Sequence, residues 1–377
     1  MKIVHVAPPF LPIEDDLVYG GVERVVNSLR KKQAKMGHET YVIAPTDSST
    51  KGLLPTVKSL GVGDIYSKHV PAADVRKNTY AKLKHVQDSL EYSKSMHESV
   101  FHIHDDYLLP FVGMLGAPHI LTVHCDYDEF WQSDELPGIE KLSSHLVALS
   151  ASHRKTLESH GFEIIDTINN GIEPKDFNFS ADKDGYLLLL SVVAPHKGQK
   201  TAIDIAKGAG MDLIIAGNKG DEDYFNSLYH VIQYDVSKEH DKLLAYRMLP
   251  NDRGGKVVYA GAVNDAQKKP LFERAAAFLM PFYLDEPFPL VSIEALASGT
   301  PVIALDRGPA REIITDGRTG YVCRNEKQMI EAVRSLDNLD KEACRNDVER
   351  RFSLDLMAGR YEKLYKRVME KPTAFHA

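Results

Sequence analysis

The chain has 377 residues, more than the roughly 250–300 at which a single hydrophobic core stops growing, so two domains are predicted. Its 43% hydrophobic and 26% charged residues are typical of a globular protein, and the net charge of −7 argues against nucleic acid as the main partner. The longest apolar stretches, such as residues 186–194, have about half of the ~18 residues that a membrane span needs.

Short β-rich runs alternate with longer amphipathic segments along nearly the whole chain. In chain order, the first half has predicted strands at residues 2–7, 39–45, 100–104, 119–124 and 145–150, with a helix over 22–36 after the first of them. The second half has predicted strands at 186–191, 211–217, 256–262, 276–282 and 300–306, a polar helical connection over 218–255, a helix that begins near Leu290, and a last helix over 353–370. Near-continuous apolar strands that alternate with helices predict an α/β protein with two doubly wound parallel sheets.

The two series of strands meet in a polar segment, residues 171–185, that contains proline, aspartate and glycine. Such a composition is typical of a domain boundary. We therefore predict an N-terminal domain over 1–178 and a C-terminal domain over 179–352. The helix of the final segment, 353–377, is expected to pack back on the N-terminal domain.

Three cysteines at unrelated spacings, Cys125, Cys323 and Cys344, indicate neither a disulfide framework nor a zinc site. The apolar segment behind Met1 is short and runs into prolines, with no small-residue cleavage site, so no signal peptide is predicted. The protein is therefore expected in the reducing cytoplasm. Contact with the surface of a membrane stays open, although no strongly basic amphipathic helix argues for it.

In open α/β sheets, ligands bind beyond the carboxyl ends of the strands, so the residues after each strand are the first candidates for a site. After the first strand, Gly20 and Gly21 lead into a helix whose free N–H groups and dipole favour an anion. A tight turn is the alternative interpretation of these glycines. The sequence holds neither a dinucleotide fingerprint nor a phosphate-binding P-loop.

Histidines and an aspartate follow two further strands of the first half. His102 and His104 are two residues apart and are therefore expected on one face of their strand. His124 ends the next strand, and Asp126 lies two residues further on. Three interpretations stay open: a metal site, since imidazole and carboxylate suit zinc or iron, a polar lining for a hydroxyl-rich ligand, or ordinary histidines with backbone partners.

Charged residues follow two strands of the second half. Lys197 lies in the turn after the strand at 186–191, where its ammonium could meet a phosphate. Glu294 lies about one turn into a helix that is apolar on nearly every side, eight positions after Glu286 in a proline-flanked loop. A buried carboxylate needs a partner, which is either a ligand with vicinal hydroxyls or a neighbouring arginine or lysine.

Taken together, these motifs resemble the retaining glycosyltransferases of family 4. The pair Glu286 and Glu294, within EPFPLVSIEALASGTPVIALDRGPAREIITDGRTGY, is similar to that family's donor-binding segment. The motifs YGGVERVV, VFHIHDDYLLPF, TVHCDYD, PHKG and YAGAVND precede it in the family's order, so the resemblance covers nearly the whole chain. It implies the GT-B fold, an α/β arrangement of two Rossmann-like doubly wound domains that face a central cleft.

The resemblance also implies a reaction and the residues that serve it. A hexosyltransferase would move a sugar from a nucleotide-diphospho-sugar, with a UDP-sugar expected, with retention at the anomeric carbon and without a metal or other cofactor. Glu294 would hold the ribose hydroxyls, Glu286 and His124 would contact the donor sugar, and Lys197 with the Gly20–Gly21 loop would neutralise the departing diphosphate. His124, Lys197 and Glu286 are thus the candidate catalytic residues. The other donor-binding residues are expected to be Gly217, Val263, Phe288, Pro289 and Leu290.

Two positions depart from the family's pattern. Val192 stands where the family usually has an arginine that clamps the diphosphate, so one positive charge and one bidentate donor are missing. Arg307 or Arg311, after the strand at 300–306, could compensate. Pro289 stands where many relatives have glycine, which removes a backbone donor, although proline is tolerated at the first position of a helix.

Three other functions stay open at this point. The first is a metal-dependent hydrolase, and the second is an inactive homologue that binds a nucleotide-sugar without turnover, as Val192 would permit. The third is a two-domain sugar-binding protein without catalysis, although such proteins are normally exported and no signal peptide is predicted. The hydrolase would use His102, His104, His124 and Asp126. The acceptor of a transferase could be a saccharide, a lipid or a small molecule, bound around residues 10–20, 64–80 and 125–137. The sequence does not determine the oligomeric state.

Overall fold

The computed structural model describes residues 1–15, 17, 20–61, 72–125, 145–250 and 255–370. Contacts along the chain divide it into two compact units. The first consists of Met1–Asp15, Gly20–Gly171 and Leu354–Ala377, and the second of Asp16–Tyr19 and Ile172–Ser353. Asp126 lies outside the described residues, as do residues 64–71 and 126–137 of the expected acceptor face.

The first unit is built on a parallel sheet. Its strands are β1 (Lys2–Val6), β2 (Glu39–Ala44), β3 (Leu53–Pro55), β4 (Ser99–Ile103), β5 (His119–Thr122), β6 (Leu146–Ala148) and β7 (Ile164–Thr167). Among the described residues they lie in the order β3-β2-β1-β4-β5-β6-β7, and β1 pairs with β4 so that His5 is opposite His102. The remaining side chains of β1 and β4 are almost all apolar and buried, as expected for central strands with both faces covered.

The second unit contains a parallel sheet of the same kind. Its strands are β8 (Tyr186–Leu190), β9 (Asp212–Ala216), β10 (Tyr234–Asp235), β11 (Val257–Gly261), β12 (Ala277–Met280), β13 (Val302–Leu305) and β14 (Gly320–Cys323). In the part of the chain that the structure describes, their order is β10-β11-β9-β8-β12-β13-β14. The predicted α/β fold with two doubly wound parallel sheets is confirmed.

The helices alternate with these strands. They are α1 (Gly21–Lys35), α2 (Ala72–Ser95), α3 (Ala151–Ser159), α4 (Gln199–Ala209), α5 (Glu222–Tyr229), α6 (Lys242–Arg247), α7 (Asp265–Arg274), α8 (Leu290–Ala297), α9 (Ala310–Ile313), α10 (Glu326–Arg334), α11 (Lys341–Arg351) and α12 (Leu354–Glu370). Short polar side chains begin many of them: Ser150, Asp221 and Asn264 each accept a hydrogen bond from the first turn of α3, α5 and α7. None of the described helices combines the length and the apolar character that crossing a membrane requires.

The strands that the sequence patterns did not predict are the four at the sheet edges, β3, β7, β10 and β14. They are two to four residues long and only partly buried, so they lack the continuous apolar run of a central strand. β10 lies inside the segment 218–255, which was predicted to be a helical connection. That prediction is wrong for residues 234–235, which form a two-residue strand beside β11.

The last helix, α12, packs within the first unit. Tyr361 and Tyr365 are one turn apart and fully buried, and their hydroxyls reach the side chains of Thr122 on β5 and His102 on β4. Near the surface, an ion pair joins Asp355 at the start of the helix to a lysine of α1. The apolar and aromatic face of α12 therefore closes over the central strands of the first sheet.

Each sheet has one point where the strand order reverses. β1 lies between β2 and β4, and β8 lies between β9 and β12, so the chain leaves the first strand of each sheet in two directions. Ligands of doubly wound proteins bind beyond the carboxyl ends of the strands at such switch points. The loops after β1, β4, β8 and β12 are therefore the places where the fold favours a site.

Candidate active site

A sharp turn between β8 and α4 positions Lys197. A 3-10 turn ends at this lysine, and Gly198 follows it with a left-handed φ of 70°. A Cβ on Gly198 would lie 2.2 Å from the carbonyl oxygen of Pro281, so only glycine lets the turn approach the loop after β12. The backbone N–H of Tyr283 in that loop donates to the carbonyl of His196 at 2.8 Å and joins the two loops.

These two loops bring Lys197 and Glu286 into contact. The ammonium of Lys197 forms an ion pair with Oε1 of Glu286, and it also lies 4.9 Å from the ring centroid of Phe282. The side chains of the pair are 16% and 19% exposed, so both are partly screened from water. Two of the candidate catalytic residues are therefore direct neighbours, and when both are ionised their charges cancel.

The helix α8 begins directly behind this loop. Leu290 is its first helical residue, as expected, and Pro289 is its N-cap. Pro289 has no side-chain group that could accept from the first N–H groups of the helix, and the hydroxyl of Ser292 donates to the Pro289 carbonyl at 2.6 Å, so it caps none of them either. The first N–H groups of a helix lack intrahelical partners, so this end of α8 presents N–H donors and the positive end of the helix dipole.

Glu294, four residues behind Leu290, is buried and paired. Its Oε1 lies 2.6 Å from the ammonium of Lys268 on α7, and both side chains are 6% exposed. Asp265 contacts the same ammonium at 3.3 Å. The other oxygen of Glu294, Oε2, is buried and has no hydrogen-bond partner among the described residues. The carboxylate is thus held through one oxygen and keeps one acceptor unsatisfied.

Sequence reasoning left open whether a lysine or an arginine pairs with Glu294, and it did not identify Lys268. No spacing rule points to this residue, because α7 and α8 follow different strands, β11 and β12. In the sequence, a buried lysine in the first turn of a helix cannot be distinguished from a solvent-exposed one. Its burial results from the way the two consecutive helices pack.

The other expected donor-binding residues of the second unit serve the packing of its loops. Gly217 follows β9 with a φ of 144°, and a Cβ there would lie 1.8 Å from the carbonyl oxygen of Ser191. The chain's own backbone, not a ligand, therefore requires glycine at this position. Val263 is buried just before the N-cap of α7, and the buried ring of Phe288 lies 5.5 Å from that of Phe352.

Val192, which stands where the family usually has an arginine, is buried and packs closely against Gly220. A Cβ on Gly220 would lie 2.3 Å from Cγ2 of Val192. Of the two possible substitutes, Arg311 is exposed and pairs with Asp306 at 2.5 Å. Arg307 lies 3.9 Å from Asp285, the neighbour of Glu286 in the loop after β12. Arg307 therefore contacts the loop that carries Glu286, whereas Arg311 pairs within its own segment.

In the first unit, Gly20 and Gly21 lie at the start of α1. Gly20 is the N-cap with a φ of 121°, and a Cβ on it would lie 2.7 Å from Oε2 of Glu23. A Cβ on Gly21 would meet nothing within 4 Å. Glu23 is buried, which raises the pKa of its carboxyl to about 7. A carboxylate of the chain itself thus lies beside Gly20, where sequence reasoning expected only a turn or an anion.

The histidines of the first unit form a cluster that sequence reasoning identified only in part. The rings of His102 on β4 and of His104, the residue directly after this strand, lie 3.9 Å apart at their centroids, as expected for residues on one face. His5 on β1, which the patterns did not select, lies 5.3 Å from each of them. Nε2 of His124 contacts Nδ1 of His104 at 2.9 Å. The signal that could have revealed His5 is a histidine within an otherwise apolar central strand.

Every ring nitrogen of His5, His102 and His104 already has a hydrogen-bond partner. His5 contacts Gln33 at 2.8 Å and His104 at 3.1 Å, while His102 contacts Tyr365 and Thr122, each at 2.7 Å. Although the three histidines are close enough to share an ion, no lone pair is left over for one. The geometry therefore favours a polar hydrogen-bonded cluster over a metal site.

Burial decides the charge of these histidines. Desolvation lowers the pKa of His5 to about 4 and the pKa of His124 to about 3. It holds the pKa of His102 and of His104 well below the usual value, and the neighbouring histidines add to the effect. The imidazoles are therefore neutral at pH 7.

Two family models match the chain. The model described as "Glycosyltransferase Family 4" matches residues 19–176, and the model described as "Glycosyl transferases group 1" matches residues 172–350. The first match spans most of the described part of the first unit and the second nearly all of the second unit.

Relatives and solved structures agree with these models. The chain is 25% identical over 328 residues to the phosphatidyl-myo-inositol mannosyltransferase of Mycolicibacterium smegmatis, which covers 80% of this chain and 77% of that protein. The structure of sucrose-phosphate synthase from Thermosynechococcus elongatus matches with a TM-score of 0.73 at 17% identity, covering 98% of this chain and 99% of that one. The Anabaena protein HepE in complex with UDP-glucose matches with a TM-score of 0.68 at 16% identity, covering 97% and 100%. The shared fold is that of GT-B glycosyltransferases.

Proposed function

The chain is a hexosyltransferase of glycosyltransferase family 4, and on this premise we propose that it transfers the sugar of a nucleotide-diphospho-sugar with retention at the anomeric carbon. The donor is a UDP-sugar, and the acceptor is a saccharide, a lipid or a small molecule. We also propose that the reaction takes place in the cytoplasm.

One observation carries the proposal: the buried carboxylate of Glu294 has one oxygen paired with Lys268 and one oxygen unsatisfied. An unsatisfied buried acceptor costs about 1–3 kcal/mol, so a ligand that supplies donors there gains that much in binding. Vicinal hydroxyls of a ribose are donors of this kind. The ion pair with Lys268 holds the carboxylate in place, so that its free oxygen can accept from them.

The diphosphate of the donor is proposed to bind at the Lys197–Glu286 pair and the start of α8. A departing nucleoside diphosphate needs positive charge, which an ammonium and the N–H groups of a helix N-terminus can supply without a metal ion. In the complex Lys197 would turn towards the phosphate, and Glu286 would then accept from hydroxyls of the sugar. The backbone N–H groups of Phe288 and Leu290 complete this part of the site.

The choice of uridine has separate support. HepE, which has the same fold, was solved in complex with UDP-glucose. The relative from M. smegmatis is a mannosyltransferase that acts on a phosphatidyl-inositol, which favours a hexose as the transferred group. His124 and the Gly20–Gly21 loop are proposed to act on the donor from the first domain.

Titration calorimetry of UDP, GDP and ADP in the presence of EDTA tests this proposal. We expect UDP to bind and the other two to bind at least tenfold more weakly. Glu294→Gln should weaken UDP binding by roughly 5- to 150-fold, which corresponds to the about 1–3 kcal/mol above, because the ribose then loses a charged acceptor. Glu349→Gln is the matched control, since Glu349 is an ion-paired but half-exposed glutamate of the same domain.

The outcomes separate the alternatives. UDP binding with sugar release from a UDP-sugar supports the transferase, whereas binding without turnover indicates an inactive homologue. Binding that requires a divalent cation would contradict the metal-independent mechanism. If none of the three nucleotides binds, the assignment of the donor site to Glu294 is wrong.

A further inference from the structure

An unbroken chain of hydrogen bonds runs through the interior of the first unit and ends at His124. We call it the histidine chain. Its members, in order, are His124, His104, His5, Gln33, Tyr365, His102, Thr122 and Tyr361. Successive contacts measure between 2.7 and 3.1 Å, and all members except His124 are buried.

The histidines of this chain are neutral, because burial lowers the pKa of each. A neutral imidazole donates through one ring nitrogen and accepts through the other. A hydrogen bond of known direction therefore fixes the direction of the next one across an imidazole, whereas a hydroxyl can accept from both sides. From Gln33 to His124 the connection runs only through the imidazoles of His5 and His104, so one bond of known direction at Gln33 fixes the proton position on all three histidines.

The amide of Gln33 supplies that direction. Its nitrogen donates to the hydroxyl of Tyr365 at 3.0 Å, and its oxygen accepts from Nε2 of His5 at 2.8 Å. Nδ1 of His5 must then accept from Nε2 of His104, and Nδ1 of His104 must accept from Nε2 of His124. His124 is thus protonated at Nε2, and its Nδ1 keeps a lone pair.

We propose that His104, His5 and Gln33 are positioning residues for His124. They keep the proton of His124 on Nε2, where His104 accepts it, so Nδ1 is left as a hydrogen-bond acceptor for a hydroxyl of the donor sugar. This inference rests on the proposed contact of His124 with the donor sugar. His124 itself touches the substrate, whereas His104, His5 and Gln33 act through it.

The histidine chain explains why the contact of His124 with the donor sugar can be selective. A histidine that is free to exchange its proton between Nδ1 and Nε2 can either donate or accept, and it binds a hydroxyl in either direction. A reversed Gln33 amide would reverse every bond of the chain, and Nδ1 of His124 would then donate. The proton position on His124 is therefore the quantity that decides the inference.

Nitrogen NMR of the full chain measures it directly. With 15N-labelled histidine, the chemical shifts of Nδ1 and Nε2 show which nitrogen carries the proton. The signals of His124 among the 16 histidines are those lost in His124→Gln. We expect protonation at Nε2 at pH 7. Protonation at Nδ1 would overturn the inference that the histidine chain keeps the proton of His124 on Nε2, whichever nucleotide-sugar the enzyme uses.

A pair of variants at His104 tests the effect on binding. Leucine removes the acceptor for Nε2–H of His124, whereas asparagine keeps an acceptor oxygen close to the position of Nδ1. We expect His104→Leu to populate both protonated forms of His124 and to weaken UDP-glucose binding about tenfold, the upper range for one neutral hydrogen bond. UDP, which lacks the sugar, should bind within twofold of the wild type. His104→Asn should restore both the Nε2–H form and the UDP-glucose affinity.

These measurements separate a failed inference from a failed function. If the wild type binds neither UDP nor UDP-glucose, the proposed donor is wrong, and the NMR result still decides whether the histidine chain fixes His124. If His104→Leu folds, as judged by its circular dichroism spectrum, and binds UDP-glucose as tightly as the wild type, the positioning role is refuted. Equal losses for UDP and UDP-glucose, unrescued by asparagine, would show a structural effect and refute it too.

Discussion

Lys268→Met is the substitution that best tests the candidate donor site, because it removes a charge without removing volume. Lys268 makes two contacts, with Glu294 at 2.6 Å and with Asp265 at 3.3 Å. Methionine fills nearly the same space but leaves the buried carboxylate of Glu294 without a counter-charge.

The structure sets the size of the expected effect. Breaking a buried ion pair from one side costs about 3–5 kcal/mol, because the remaining charge is uncompensated. Glu294 is 6% exposed and cannot rehydrate, whereas Asp265 is 30% exposed and can, so only one carboxylate contributes fully. We therefore expect a loss of about 3 kcal/mol, which lowers the melting temperature of a domain of this size by roughly 6–12 °C.

Differential scanning calorimetry measures this shift, and UDP identifies the transition of the second domain because a ligand raises the melting temperature of the domain that binds it. Lys200→Met is the matched control: Lys200 pairs with Asp204 on an exposed surface, so its removal should change the melting temperature by at most about 2 °C. The double variant Lys268→Met/Glu294→Leu removes both charges and should recover most of the lost stability, but not UDP binding. A single variant as stable as the wild type, or a double variant no more stable than the single one, would refute the role of the pair.

Three further predictions follow from other parts of the structure. Arg307→Ala should weaken UDP binding, measured by calorimetry, about tenfold, as the loss of one charge-assisted contact does, whereas Arg311→Ala should not. Equal effects of the two variants would contradict the idea that Arg307 takes the place of the missing arginine. Gly217→Ala should prevent folding or cost at least about 3 kcal/mol in urea unfolding, because its Cβ would lie 1.8 Å from a carbonyl oxygen, while Gly210→Ala, which meets no atom within 4 Å, should cost only the about 1–2 kcal/mol of its left-handed backbone. Burial lowers the pKa of His5 to about 4, so the folded state binds fewer protons than the unfolded chain between pH 6.5 and 4. The contribution of His5 to the free energy of unfolding is therefore complete above pH 6.5 and decreases as the pH falls, by about 3 kcal/mol at pH 4. Urea midpoints that do not change across this window would contradict the prediction.

How far the fold could be predicted depended on where each strand lies in its sheet. Central strands such as β4 and β8 are covered on both faces, so their sequences are continuous apolar runs that identify them. The edge strands are short and half exposed, and nothing in residues 234–235 distinguishes β10 from a loop. Their pairing depends on a neighbouring strand, which a local pattern does not contain.

The candidate site was predictable where a residue follows a strand and not where two helices meet. Lys197 and Glu286 follow β8 and β12, which are neighbours at the switch point, so their contact agrees with a general rule of the fold. Lys268 has no such signal, because its contact with Glu294 depends on the packing of α7 on α8. His5 was missed for a related reason. Its hydrogen-bond partners are His104, directly after β4, and Gln33 on α1, and a histidine in an apolar strand indicates burial but not the residues that pair with it.

The charges of the site suggest how the enzyme can work with valine in place of an arginine. Lys197 is already paired with Glu286, so the pair contributes little positive potential until a phosphate competes with the carboxylate for the ammonium. The competition is favourable only if Glu286 gains new hydrogen bonds as it loses Lys197. The hydroxyls of the transferred sugar can donate such hydrogen bonds. Sugar and diphosphate would then have to bind together, which predicts that a complete UDP-sugar gains more from Lys197 than UDP does. Comparing the affinities of UDP and UDP-glucose for wild type and Lys197→Met measures this coupling, and equal losses for the two ligands would show that the lysine and Glu286 act independently.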